Sequence, residues 1–142
     1  MSREIYIAAL WDRIQLDPAI EFRQYRQLAG AFGLAGLYMA PRVTWLNQSG
    51  ANNYDTLQEA LEALPDPATR VFLCPSGECA LEEVPAGSEP LVLVIGDTKT
   101  SPAELAGPND IIVSLSAPHP VELYGVNAAA VALAELYRTG RT

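Results

Sequence analysis

Leu91-Val92-Leu93-Val94-Ile95 and Ile111-Ile112-Val113-Ser114-Leu115 are short, almost unbroken apolar runs, separated by residues 96–110. A strand with one wet face alternates apolar and polar residues. An unbroken run needs apolar neighbours on both faces, which a parallel sheet covered by helices supplies. Each run opens into small or polar residues. Ligands of open parallel sheets bind just beyond the carboxyl ends of strands, so Ile95-Gly96-Asp97 and Ser114-Leu115-Ser116 read as walls of one pocket. Gly125-Val126-Asn127, at the head of the last helix, would close it.

The rest of the chain agrees with that class. Ile5 to Leu10 is a first buried strand, and Asp17-Pro18 supplies a cap and a first-turn proline for a helix. Phe22, Tyr25, Ala29 and Phe32 form its apolar stripe, with Arg23, Gln24, Arg26 and Gln27 around it. Gly33 ends this helix and Leu34 to Met39 is the second strand. Residues 41–53 read as a surface loop carrying Trp45 and Leu46. Asp55 is expected to cap a short helix with Leu57, Leu61 and Leu64 buried, and Arg70 to Cys74 is the third full strand. Ala80 to Pro90 is an acidic connection. Ser101-Pro102-Ala103-Glu104 opens a short helix that Gly107-Pro108 ends. In the last helix Val126, Ala130, Leu133 and Tyr137 are expected on one buried face, with Ala129 and Leu136 beside them. Strand and helix alternate throughout, so the predicted fold is α/β, a parallel sheet with helices on both faces, over residues 1–142 as one domain.

Composition limits the function. The chain has 142 residues, 49% of them hydrophobic, enough for a real core. No apolar run is long enough to span a bilayer and the first residues do not form a secretory signal, so a cytoplasmic address is expected. Cys74 and Cys79 are the only cysteines and His119 the only histidine. That is too few for a disulfide framework or a zinc site, and no metal is expected. Gly30, Gly33 and Gly36 do not have dinucleotide-fingerprint spacing, and Gly96-Asp97-Thr98-Lys99-Thr100 lacks the glycine before lysine of a phosphate loop. A net charge of −8 opposes a broad phosphate-binding face.

Three segments carry a closer resemblance. Leu91 to Asp97 matches an apolar strand ending in Gly-Asn-Glu, with Gly96 kept and Asp97 at the Asn position. Ile111 to Ser116 matches a following strand, as an apolar strand only. Glu122-Leu123-Tyr124-Gly125-Val126-Asn127, followed by Ala128-Ala129-Ala130, matches Glu-Ser-Leu-Asn-Val-Ser before an alanine-rich helix. These segments, with Ala31-Phe32-Gly33 closing the first helix, resemble the SpoU/TrmH branch of the SPOUT (alpha/beta-knot) methyltransferases.

The resemblance implies a C-terminal trefoil knot and an RNA ribose 2'-O methyltransferase using S-adenosylmethionine. It places the cofactor at Ile95, Gly96, Asp97, Ser114, Leu115, Ser116, Tyr124 and Gly125. Arg26 and Asn127 become the candidates for orienting the substrate hydroxyl, and Asn127 also suits a helix cap. A homodimer through the last helix and the first is implied as well. The pattern departs from the family where chemistry is concentrated. Counting back from Ala-Phe-Gly puts Gln27 at the family's arginine, with Arg26 the nearest substitute; Thr98 stands for the Glu, and Gly125 for an Asn. Three readings follow: an RNA methyltransferase, a catalytically silent knot domain that binds a protein partner, or another small-molecule transferase on a similar sheet.

Overall fold

The computed structural model describes residues 3–12, 17–48, 52–75, 77–97, 99–115, 123 and 125–142. Strands β1 (Ile5–Leu10), β2 (Gly36–Ala40), β3 (Asn52–Asn53), β4 (Thr69–Leu73), β5 (Leu91–Ile95) and β6 (Ile111–Val113) form one sheet in the order β3-β2-β1-β5-β4-β6. Every pairing is parallel, with Ile5 opposite Leu91 and Ala9 opposite Ile95 at the centre.

The unbroken apolar strands serve two cores. Leu91, Leu93 and Ile95 face a layer built by helices α1 (Pro18–Phe32) and α3 (Gly125–Arg138), where Phe22, Tyr25, Ala129, Leu133 and Leu136 are buried. Val92 and Val94 face the other side, against Leu57, Leu61 and Leu64 from helix α2 (Leu57–Glu62) and the turn after it. One five-residue strand thus fills both layers, the arrangement that its lack of alternation requires. Each fully buried leucine contributes about 1.5–3 kcal/mol.

Local chemistry sets the ends of α1. Asp17 Oδ1 accepts from the Ala19 N–H at 2.8 Å, Pro18 opens the helix, and Gly33 ends it at a positive φ of 63°. Leu34 N–H then bonds Ala29 O, and Ala35 N–H bonds Ile5 O. Those residues complete the helix end, which is why β2 starts at Gly36 rather than Leu34.

Elsewhere the sequence expectations need correction. β4 begins at Thr69, opposite Leu91, so Cys74 falls beyond it. Residues 41–53 are not a plain surface loop: Thr44–Gln48 is a 3-10 turn that inserts Leu46 at 0% exposure, and Asn52–Asn53 adds an edge strand. Asn53 fixes this segment by donating to Met39 O and Pro41 O and accepting from the Val43 N–H. Thr56 rather than Asp55 caps α2, accepting from the Glu59 N–H at 3.1 Å, while Asp55 pairs with Arg42 at 3.0 Å. Ser101 caps a 3-10 turn, Pro102–Leu105, through the Ala103 N–H. In α3 the buried face is Gly125, Ala128, Ala129, Ala132, Leu133 and Leu136, one residue round from the expected stripe, and Tyr137 is 70% exposed. The knot expected between Val113 and Asn127 falls largely on residues 116–122 and 124, outside the described residues. No helix among the described residues is long and apolar enough to cross a membrane.

Candidate active site

After β1 the chain turns through α1 to β2 on one side; after β5 it crosses toward β6 on the other. The loops leaving the carboxyl ends of these two neighbours therefore diverge. Such a switch point opens the crevice in which open α/β sheets hold ligands.

Gly96 lies at the end of β5, buried. A Cβ there would collide with the Thr100 carbonyl oxygen and come within 2.9 Å of Pro102 Cδ, so only glycine lets this loop fold back on the strand. Asp97 builds that loop: its Oδ1 accepts from the Lys99 and Thr100 N–H groups at 2.9 and 2.6 Å. Ile95 is buried in the sheet. Beyond β6, Ser114 Oγ donates to Pro75 O at 3.3 Å, and Leu115 packs half-buried against the core. Ser116 and Tyr124 lie outside the described residues.

Gly125 opens α3 at a positive φ of 54°, pressed against α1 and the end of β1. A Cβ on it would sit 3.0 Å from Glu21 Oε2, 4.0 Å from Asp12 Cβ and 4.0 Å from the Tyr25 hydroxyl. Glu21 is 1% exposed, and its Oε1 accepts from the Asp12 N–H at 2.8 Å. Burial pushes its carboxyl up to about 7; the Asp12 N–H opposes the shift, while Asp12 and Asp97 add to it. The α1 amino terminus favours a carboxylate by about 0.3–1 kcal/mol. A rise to about 7 corresponds to roughly 3 kcal/mol the other way, so desolvation wins. Tyr25 is fully buried and its hydroxyl has no hydrogen-bond partner among the described residues; burial, with Glu21 and Asp12 nearby, pushes its pKa well up.

Glu21, Asp12 and Tyr25 were not among the sequence candidates. The available signal was spacing, since Glu21 and Tyr25 stand four apart and share the inward face of α1 with Phe22. The hydroxyl-orienting candidates sit differently. Arg26 is exposed on α1 with its guanidinium 6.0 Å from the Phe22 ring centre. Asn127 is exposed, third in α3, where Gly125 rather than Asn127 opens the helix. No set of three potential metal ligands converges among the described residues.

No protein-family model matches the sequence, and no curated protein does. Solved structures match over nearly the whole chain. A structure concerned with 2-OH methylation of C/U34 on tRNA superposes with a TM-score of 0.69 at 21% identity, covering 97% of this chain and 92% of that one. The AdoMet-bound rRNA methyltransferase from Sinorhizobium meliloti gives 0.70 at 19% identity, covering 96% of this chain and 56% of its own. The SpoU methyltransferase AviRb from Streptomyces viridochromogenes gives 0.67 at 17%, with 96% and 58% covered. The chain thus spans little more than half of two of these proteins and nearly all of the third. The six-stranded parallel sheet and its helices are the fold of the SpoU-type RNA methyltransferases.

Proposed function

We propose that the protein is an S-adenosylmethionine-dependent RNA methyltransferase acting on a ribose 2'-hydroxyl. The observation that carries this is the match over 97% of the chain to a structure of 2-OH methylation on tRNA. The crevice suits the cofactor on independent grounds. Gly96 and Gly125 let the loop after β5 and the head of α3 close tightly on their neighbours, which shapes the crevice walls. Asp12, Glu21 and Asp97 form a negative surround complementary to a sulfonium and an ammonium group, and the Tyr25 hydroxyl waits for a partner.

When bound, the cofactor would supply a sulfonium-borne methyl group for transfer to the hydroxyl oxygen, with the hydroxyl proton passing to solvent and S-adenosylhomocysteine as the leaving product. The backbone of Ile95, Gly96, Asp97, Ser114 and Leu115 lines the cofactor, and Ser116, Tyr124 and Gly125 complete the wall. Arg26 and Asn127 orient the ribose hydroxyl. The knot runs between Val113 and Asn127. A cytoplasmic homodimer forms through α3, which leaves Val131 and Tyr137 exposed, against α1, which leaves Ile20 exposed.

Calorimetric titration with S-adenosylmethionine and S-adenosylhomocysteine tests the reading. The sulfonium form is expected to bind more tightly, with an affinity that rises with pH through about 7 as Glu21 ionises. Absence of binding by either compound would sink the reading. Transfer of labelled methyl to tRNA or rRNA at low salt then separates an enzyme from a silent cofactor-binding domain, and light scattering reports the dimer.

A further inference from the structure

An acidic enzyme for RNA has an electrostatic difficulty. With a net charge of −8 it cannot draw most of its affinity from phosphate contacts. Stacking on an aromatic face is the remaining large source, at roughly 1–3 kcal/mol per base, and it is indifferent to net charge.

One aromatic cluster has the required form, and it adjoins the crevice. Trp11 follows β1 and Phe22 lies in α1; both are buried, at 1% and 6% exposure, with ring centres 6.1 Å apart. Trp45, on the 3-10 turn after β2, leans on both, at 6.1 Å from Trp11 and 5.8 Å from Phe22, yet stays 43% exposed. The Trp11 indole N–H donates to Pro41 O at 2.9 Å, which fixes the support. The Arg26 guanidinium lies over the Phe22 ring, 6.0 Å from its centre. Trp11 and Phe22 adjoin Asp12 and Glu21 in sequence, and the Asp12 N–H is bonded to Glu21, so the support of the cluster is continuous with the acidic crevice.

We propose that Trp45, backed by Trp11 and Phe22 and flanked by Arg26, is a stacking platform for an unpaired nucleobase of the RNA substrate. The inference rests on the proposed RNA methyltransferase function but concerns a surface outside the cofactor crevice. The two buried rings hold the Trp45 indole in place before a base arrives, so little ordering entropy is lost on stacking. A guanidinium beside an aromatic face suits a base, since single-stranded RNA is read by splayed bases stacked on aromatic and arginine planes. A duplex, whose bases are already stacked, is not expected to use it.

Fluorescence anisotropy with a fluorescein-labelled, unstacked oligouridylate of eight nucleotides tests the idea in wild type, Trp45→Ala and Trp45→Phe, at two salt concentrations. Trp45→Ala is expected to weaken binding roughly 10- to 100-fold with the salt slope unchanged, because stacking releases no counterions. Trp45→Phe should recover most of the loss, and S-adenosylmethionine affinity should be the same in all three proteins. Equal oligonucleotide affinity in wild type and Trp45→Ala overturns the platform. So does a Trp45→Ala protein that turns from dimer to monomer by light scattering without losing oligonucleotide affinity, which would assign the patch to contact between copies. Failure of all three proteins to bind the cofactor would instead strike the proposed function.

Discussion

The two ends of the central strands treat polar groups in opposite ways. At the amino ends, Arg3 is buried yet fully employed: it donates to Glu89 O at 2.6 Å, Pro85 O at 2.8 Å, Thr69 Oγ1 at 3.0 Å and Arg141 O at 3.3 Å. Arg141, arriving from the end of α3, donates to Val84 O and Glu82 O. Together they tie the acidic connection between β4 and β5 to both termini of the fold. At the carboxyl ends, Glu21 is buried near two further acids, Tyr25 keeps a hydroxyl without a partner among the described residues, and Gly125 holds a positive φ. A satisfied network stabilises one structure. An unsatisfied group that persists in a folded core calls for another reason, of which a ligand is one.

The largest expected effect tests the satisfied end. Arg3→Ala strands several carbonyl acceptors and should lower stability by roughly 3–5 kcal/mol, as for other buried charged partners. Urea denaturation measures it. Arg3→Lys should recover little, since an ammonium cannot reach the same spread of acceptors as a guanidinium. Cofactor affinity should be untouched in whatever folded protein remains. A loss below 1 kcal/mol would mean that the clasp is incidental.

At the opposite end the sign reverses. Glu21 has a folded pKa of about 7, raised above its ordinary value of 4.5, so the folded chain binds more protons than the unfolded chain between those values. Stability therefore falls as pH rises from 4.5 to about 7, by roughly 3 kcal/mol in all, and is flat above. Glu21→Gln keeps an oxygen for the Asp12 N–H without the charge. It should match wild type near pH 4.5 and exceed it by most of that amount at pH 8, while binding S-adenosylmethionine less tightly there. Parallel stability curves for the two proteins across this range would remove the buried carboxylate from the account.

These two ends were unequally legible. β1 and β5 kept the bounds read from their apolar runs, because strands buried on both faces have nothing polar to blur them, whereas β6, half-buried at the sheet edge, stops at Val113, short of the run to Leu115. α1 ended where Asp17, Pro18 and Gly33 said it would. The buried face of α3 was misread by one position because alanine at 128, 129, 130, 132 and 134 gives little contrast between faces. Leu46 was hidden because a lone buried residue in a 3-10 turn has no period. Gly96 and Gly125 could be singled out by place, at the ends of a strand and before a helix. Glu21 could not, since an acid in the first turn of a helix already has a sufficient local reason. Its burial is decided by β1, β5 and α3 meeting at the switch point, which only the sheet order brings together.

The smallest expected effect separates a ligand site from a packing fault. Tyr25→Phe removes only the hydroxyl that has no partner among the described residues. If that hydroxyl is simply buried, its loss spares a desolvation cost of about 1–2 kcal/mol, less the small void left behind, so the free protein should gain about 1 kcal/mol. A polar atom retained at that cost needs a partner in some other state. The cofactor's polar groups, or the ribose hydroxyl beside it, are the available ones at the head of α3. Tyr25→Phe is therefore expected to raise the stability of the free protein while weakening S-adenosylmethionine about tenfold, the scale of one buried hydrogen bond. Thermal unfolding with and without the cofactor reads both quantities on one sample. A variant that is more stable and binds as well as wild type would make Tyr25 a packing residue, and the contrast between the two ends of the sheet would then rest on Glu21 alone.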